Sequence, residues 1–258
     1  MKYYVVDVFT DKLFHGNPAG VCLLDKWPED SVMQQIAFEN NLAETAFLER
    51  QNGYYDLRWF TPKVEIDLCG HATLGSAFVL MNYVCPSMKQ VEFHTQSGKL
   101  SVAKSKDKYV MDFPSRKPVL CDIPSVLEQA LGVKVKAAYR SRDLLAVLEK
   151  ESDVAELKPN TQLLKKIENV FAVIVTAKAE SCDFVSRFFA PNAGINEDPV
   201  TGSSHCTLRP FWSEKLNKKE MTARQLSERG GTLFCEYCGD RVKIGGNAVC
   251  YLKGDIDI

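Results

Sequence analysis

The chain has 258 residues, enough to bury a sizeable core as one large domain or as two of about half that length. Its 32 Lys plus Arg are balanced by 33 Asp plus Glu, which argues against a nucleic-acid or anionic-membrane partner and leaves a small molecule as the default expectation. The nine scattered cysteines fit reduced thiols in the cytoplasm better than a disulfide framework, and the opening residues lack a signal-peptide pattern; no apolar run approaches the ~20 residues that span a bilayer.

Residues 2 to 9 are β-branched and aromatic and predict a strand. Gly16-Asn-Pro-Ala-Gly20 reads as a turn, with a strand resuming at Val21 to Leu24. Trp27 to Asn41 opens on proline and acids and closes on paired asparagines, which predicts a helix with Val32, Ile36 and Phe38 on its apolar face. Strands follow at 42 to 49 and 54 to 60. Ala72 to Tyr83 is small and mostly apolar all round, the mark of a helix surrounded by protein. Segments 91 to 95, 99 to 104 and 108 to 113 predict a strand meander.

Two prolines within Phe113-Pro-Ser-Arg-Lys-Pro-Val119 predict a linker. Beyond it, helices are expected at Pro124 to Gly132 and Asn160 to Ile167. Strands are expected at 133 to 139, 143 to 150, 170 to 176 and 182 to 189. Thr207 to Leu216 reads as a second small-residue helix that Pro210 should kink or shorten. Strands at 222 to 227, 231 to 237, 240 to 244 and 248 to 253 complete the pattern.

The second half repeats the first. Arg58-Trp-Phe-Thr-Pro62 returns as Arg187-Phe-Phe-Ala-Pro191, and each copy leads through an acidic segment to a glycine that opens a helix. Such a repeat predicts two related domains, 1–114 and 118–258, with the last strand free to return to the first. Many short strands and one buried helix per half argue an α+β fold, and two matching helix starts would then face one shared cleft.

Strand alternation in Leu42-Ala-Glu-Thr-Ala-Phe-Leu48 puts Leu42, Glu44, Ala46 and Leu48 on one face, so Glu44 is a carboxylate among apolar neighbours. Withdrawal from water destabilises its charged form, which suits a general acid and base; the bland alternative is an edge Glu paired with an Arg. Gly70-His71-Ala72-Thr73 and Gly202-Ser203-Ser204 each offer backbone N–H groups at the positive end of a helix, a cradle for an anion, or else merely a tight turn. Asp198 suits a helix cap or a second acid/base. His71 lies in a first helical turn, where the dipole favours its neutral form.

Cys69 beside His71 and Ser203-Ser-His205 both lack an orienting third group for nucleophilic catalysis. Cys235-Glu-Tyr-Cys238 lacks the second pair that a zinc site needs, so no metal is expected.

Gly16-Asn-Pro-Ala19, Asn40-Asn-Leu-Ala-Glu-Thr-Ala-Phe47, Phe60-Thr-Pro with Glu65 to Gly75, and Glu197-Asp-Pro-Val-Thr-Gly-Ser203 resemble the PhzF-like phenazine-biosynthesis family. So do Arg229-Gly-Gly-Thr-Leu and Gly245-Gly-Asn-Ala-Val, and the resemblance runs the length of the chain. It implies a diaminopimelate-epimerase-like fold: two pseudo-symmetric α+β domains, each a curved, mostly antiparallel sheet wrapped around a central helix. It also implies a homodimer without a cofactor. The family's characterised member isomerises a dihydro-hydroxyanthranilate with a glutamate acid/base, which Glu44 matches; its site histidine, aspartate and Gly-Ser match His71, Asp198 and Gly202-Ser203. Of the two cysteines used by the related epimerases, Cys69 matches one and Pro199 replaces the other. Ser204 and Arg209 depart from the family string beside the site.

The expected activity is therefore a cofactor-independent isomerase moving a proton within a small carboxylate-bearing substrate. Glu44, Asp198 and His71 are the candidate catalytic residues, and Gly70, Thr73, Gly202, Ser203 and Asn17 the candidate substrate contacts. A non-catalytic binding or scaffold protein, or an amino-acid-type epimerase, is the alternative.

Overall fold

The structure, a computed structural model, describes residues 1–258. Two compact units emerge, one of Met1–Asp112 with Gly245–Ile258, the other of Phe113–Ile244. The first contains β1 (Lys2–Val8), β2 (Asn17–Leu24), α1 (Asp30–Asn40), β3 (Glu44–Arg50), β4 (Tyr55–Phe60), β5 (Glu65–Ile66), α2 (Gly70–Val79), β6 (Gln90–Thr95), β7 (Gly98–Ser105) and β8 (Lys108–Pro114). Its ladder runs β1–β2 antiparallel, β2–β3 parallel, β3–β4 antiparallel, β4–β6 parallel and β6–β7 antiparallel.

The second unit contains β9 (Val119–Cys121), α3 (Leu127–Leu131), β10 (Ala137–Arg140), β11 (Leu144–Val147), α4 (Glu151–Ala155) and α5 (Thr161–Leu164). There follow β12 (Val173–Lys178), β13 (Phe184–Phe189), α6 (His205–Leu216), β14 (Glu220–Gln225), β15 (Gly231–Cys238) and β16 (Arg241–Gly246). Its ladder reproduces the series, from β10–β11 antiparallel and β11–β12 parallel to β12–β13 antiparallel, β13–β14 parallel and β14–β15 antiparallel. The last strand, β17 (Ala248–Asp255), returns to the first unit and pairs antiparallel with β1.

The repeated Arg-aromatic-Phe string acquires a structural meaning in these ladders. Arg58 on β4 forks onto Glu65 through Nε and Nη2 at 2.7 and 2.8 Å. Arg187 on β13 forks onto Glu197 at 2.6 and 2.8 Å. Each guanidinium also lies 5.2 Å from the ring two residues on, Phe60 and Phe189 respectively. The bidentate fork is among the stronger side-chain contacts, and it ties each acidic segment back to the strand it leaves.

Both sheets are covered on both faces, which explains their continuous apolar strands. In the second unit Leu144 and Ala146 of β11 join one core with Leu127, Leu157 and Leu164, while Leu145 and Val147 join another with Leu208, Phe211 and Trp212 of α6. In the first unit Tyr3, Val5, Cys22 and Phe47 pack with Met33, Ile36 and Ala37 of α1. The opposite face receives α2, where all residues from His71 to Val79 are buried. Small residues allow that close approach: a Cβ on Gly75 would lie 3.2 Å from Val8 Cγ2. The buried hydroxyls of Thr73 and Ser76 are satisfied within the helix by the carbonyls of Cys69 and Ala72, at 2.5 and 2.7 Å.

Several sequence expectations need correction. The strand expected at Val21 already begins at Asn17, because Gly16 alone makes the turn at φ +68° and Pro18 is tolerated near the strand's start. The buried stripe of α1 is Met33, Ile36 and Ala37; Phe38, one residue further round, is 67% exposed. α6 begins at His205 rather than at Gly202, since Gly202–Ser204 form turns closed by His205 N–H to Gly202 O and Cys206 N–H to Ser203 O. It is not a small-residue helix, as Leu208, Arg209, Phe211 and Trp212 are all buried in it. It also runs straight through Pro210 to Leu216. The carbonyl of Cys206, which loses its helical donor to the proline, accepts instead from the Arg116 backbone N–H at 2.8 Å.

Candidate active site

Three elements of the first unit converge on His71. Parity along β3 sends Phe47 toward α1 and therefore Glu44 toward α2. Asn17 shares the phase of Ala19 on β2, and Ala19 is in register with Glu44. Gly70 opens α2 directly after Cys69, whose φ of −140° and ψ of 109° are extended. Glu44 Oε2 consequently lies 3.1 Å from His71 Nε2. On the other side of the ring, Nδ1 meets Asn17 Nδ2 at 3.3 Å and Cys69 Sγ at 3.5 Å. All four residues are buried, Asn17 completely and the others at 6 to 8% exposure. The Glu44–His71 approach is close but off the axis of an ideal hydrogen bond, so both atoms keep capacity for a third partner.

The helix dipole leads the sequence reading to a neutral imidazole at His71; the groups around the ring favour its protonated form. Burial alone pushes its pKa down, but the Cys69 sulfur and the Glu44 carboxylate outweigh that and raise it well above 6.5. Burial, and then the Glu44 charge, push the Cys69 thiol up, while His71 draws it down. Asn17 places its amide nitrogen 3.3 Å from Nδ1; that nitrogen donates to the neutral ring, and the protonated ring would take the oxygen end of the amide in its place.

Cys69 also departs from expectation. Residues two apart do not meet along a helix, yet Cys69 reaches His71 because it precedes the helix in an extended conformation. Glu44, Cys69 and His71 each offer a ligand-type atom within 4.8 Å of the others. The imidazole stands between the other two, one nitrogen toward each, which suits passing a proton better than gathering three donors on one ion. Cys235 is buried and Cys238 exposed on β15, three residues apart and hence on opposite faces.

Thr73, an expected substrate contact, gives both its N–H and its hydroxyl to the Cys69 carbonyl, at 3.2 and 2.5 Å. It thereby holds the first turn of α2. The N–H groups of Gly70, His71 and Ala72 precede the first helical hydrogen bond, as a cradle requires.

The second unit gathers Asp198 with two residues the sequence reading passed over. Thr201 Oγ1 donates to Asp198 Oδ2 at 2.5 Å. Gln225, fully buried at the end of β14, accepts from Thr201 N–H at 2.9 Å and donates to Asp198 O at 2.7 Å. Gln225 had a signal: in β14 the buried phase is Met221, Ala223, Gln225, a polar residue where alternation calls for an apolar one. Gly202 is buried and Ser203 half-buried in the following turn. Ser204 gives its hydroxyl to Thr201 O at 2.8 Å, and Arg209 is wholly buried against the carbonyls of Cys235 and Lys218. Those two departures from the family string therefore have structural roles.

The family model described as phenazine biosynthesis-like protein matches residues 6–254. A Pseudomonas aeruginosa protein described as an uncharacterized isomerase is 46% identical over 258 residues, covering all of this chain and 99% of the relative. The mouse phenazine biosynthesis-like domain-containing protein 1 is 41% identical over 284 residues, covering 99% of each. The crystal structure of an Enterococcus faecalis PhzF-family protein superposes with a TM-score of 0.98 at 49% identity, covering all of this chain and 99% of that one. These similarities reach through both units and every element that carries Asn17, Glu44, His71 and Asp198. The chain belongs to the PhzF, phenazine biosynthesis-like family, and its fold is the family's two-domain, diaminopimelate-epimerase-like α+β architecture.

Proposed function

We propose that this protein is a cofactor-independent isomerase that moves a proton within a small carboxylate-bearing substrate, with Glu44 as the acid/base. The observation that carries this reading is the buried 3.1 Å contact between Glu44 and His71, whose pKa its surroundings raise well above 6.5. As a carboxylate, Glu44 takes a proton from substrate carbon. The imidazolium beside it compensates the negative charge that accumulates on the substrate, and Glu44 then returns the proton to another carbon. The N–H groups of Gly70 and His71 receive the substrate's anionic part. As the family resemblance implies, Asp198 is proposed as a further acid/base that contacts substrate, and Gly202, Ser203 and Asn17 as substrate contacts.

The P. aeruginosa relative's description as an isomerase supports the reaction class. The nine cysteines, none of them in a disulfide, support a reducing, cytoplasmic setting. No helix is long and apolar enough to cross a membrane. A homodimer is proposed with the family, to be checked by light scattering.

Small cyclic and amino carboxylic acids, including a dihydro-hydroxyanthranilate, are the substrates to screen by thermal shift, followed by deuterium uptake from solvent. Glu44→Gln should lower turnover at least ~10²-fold while the shift in melting temperature on binding persists. Full turnover in that variant would refute the assignment.

A further inference from the structure

We infer that Thr201 and Gln225 are positioning residues that fix the orientation and protonation of the Asp198 carboxyl group for the isomerase reaction. The inference rests on the reading above that Asp198 contacts substrate, and it deepens that reading. Its basis is a hydrogen-bond chain whose direction is settled at every link. The backbone N–H of Thr201 can only donate, so the Gln225 atom 2.9 Å away is the carbonyl oxygen Oε1. The amide nitrogen is then the other end, and it donates to the Asp198 backbone carbonyl, which can only accept, at 2.7 Å. The same nitrogen lies 3.2 Å from Thr201 Oγ1 and donates to it. With that lone pair taken, the hydroxyl turns its own proton to Asp198 Oδ2 at 2.5 Å.

The consequence is chemical as well as geometric. A carboxyl oxygen that always receives a proton donor is favoured as an oxygen anion. The plane of the Asp198 side chain is set by a threonine whose own rotamer is set by a glutamine, and Gln225 is completely buried. The backbone of the segment is pinned independently, because Ser227 Oγ donates to Pro199 O at 2.6 Å. That contact holds the loop without touching the carboxyl group, and so provides an internal control.

The test follows the Asp198 side-chain carboxyl by ¹³C NMR through a pH titration of the full-length protein, the resonance being identified by its loss in Asp198→Asn. Thr201→Val keeps the shape and removes the hydroxyl, and should move the Asp198 midpoint upward. Thr201→Ser should restore it, and Gln225→Met should move it upward by freeing the hydroxyl to turn away. Ser227→Ala should leave it in place. An unmoved midpoint in Thr201→Val, or an equal movement in Ser227→Ala, overturns the inference.

Deuterium uptake into a dihydro-hydroxyanthranilate separates this from the underlying reading. Full exchange in Asp198→Asn removes Asp198 from the chemistry whatever the titrations show. Loss of exchange in that variant, with Thr201→Val unmoved, removes only the positioning role.

Discussion

His205 should make the second unit acid-labile by an amount the structure specifies. Its ring is fully buried in the first turn of α6, with Nδ1 2.9 Å from the Thr201 carbonyl, which fixes Nδ1–H as the donor. Nε2 is buried without a hydrogen-bond partner, so a second proton would be desolvated and unpaired. Burial accordingly pushes the His205 pKa down from 6.5 to about 4. Because the folded value lies below the unfolded one, the unfolded chain takes up the extra proton first as pH falls. Stability is thus lost between about pH 6.5 and 4. A difference of about 2.5 units at ~1.36 kcal/mol each gives a limiting loss of about 3.4 kcal/mol, of which about 3 is reached by pH 4. His205→Asn keeps a donor for Thr201 O and cannot titrate. Urea denaturation of both proteins at pH 7, 6, 5 and 4 isolates the effect, since carboxylates common to both cancel. The stability of the wild type relative to the variant should fall by about 3 kcal/mol across that range. A difference that stays constant with pH would refute the argument.

The other predictions concern single contacts. His71 has the opposite linkage: its folded pKa is raised, so its contribution to stability is present below pH 6.5 and lost as pH rises through the higher folded value. Glu44→Gln should flatten that alkaline decline in denaturation curves. Gly16→Ala would place a Cβ 2.2 Å from the Val8 carbonyl oxygen at φ +68°, and should cost about 3 kcal/mol or more in chemical denaturation. Arg187→Met leaves Glu197 and the carbonyls of Val154 and Leu157 without their cation, and should cost about 3–5 kcal/mol. The corresponding Arg58→Met, at a half-exposed site facing an exposed Asp30, should cost nearer 1 kcal/mol in the same assay.

Period-two alternation made much of the site legible before any coordinates. It grouped Glu44 with Ala46 and Leu48 on one apolar face of β3, and the small-residue run from Ala72 announced a helix packed on all sides. The internal repeat predicted two related domains, and the two ladders run through the same series of parallel and antiparallel pairings. What could not be read depends on contacts distant in sequence. The pKa of His71 is raised by Cys69 and by Glu44, the latter 27 residues earlier in the chain. The run of α6 through Pro210 depends on Arg116, far back in the chain. Cys69 reaches His71 for a local reason: its backbone is still extended where the helix is about to begin.

The return of β17 to the edge of β1 has a consequence for biosynthesis. On the ribosome, residues 1–112 emerge before their closing strand exists, and β1 must wait with one row of amides and carbonyls open until the whole second unit has been made. An open strand edge invites pairing with a neighbouring nascent chain. The second unit, by contrast, has all its strands in one uninterrupted stretch and can finish first. Completion of the first unit therefore depends on a strand that is made after the whole of the second.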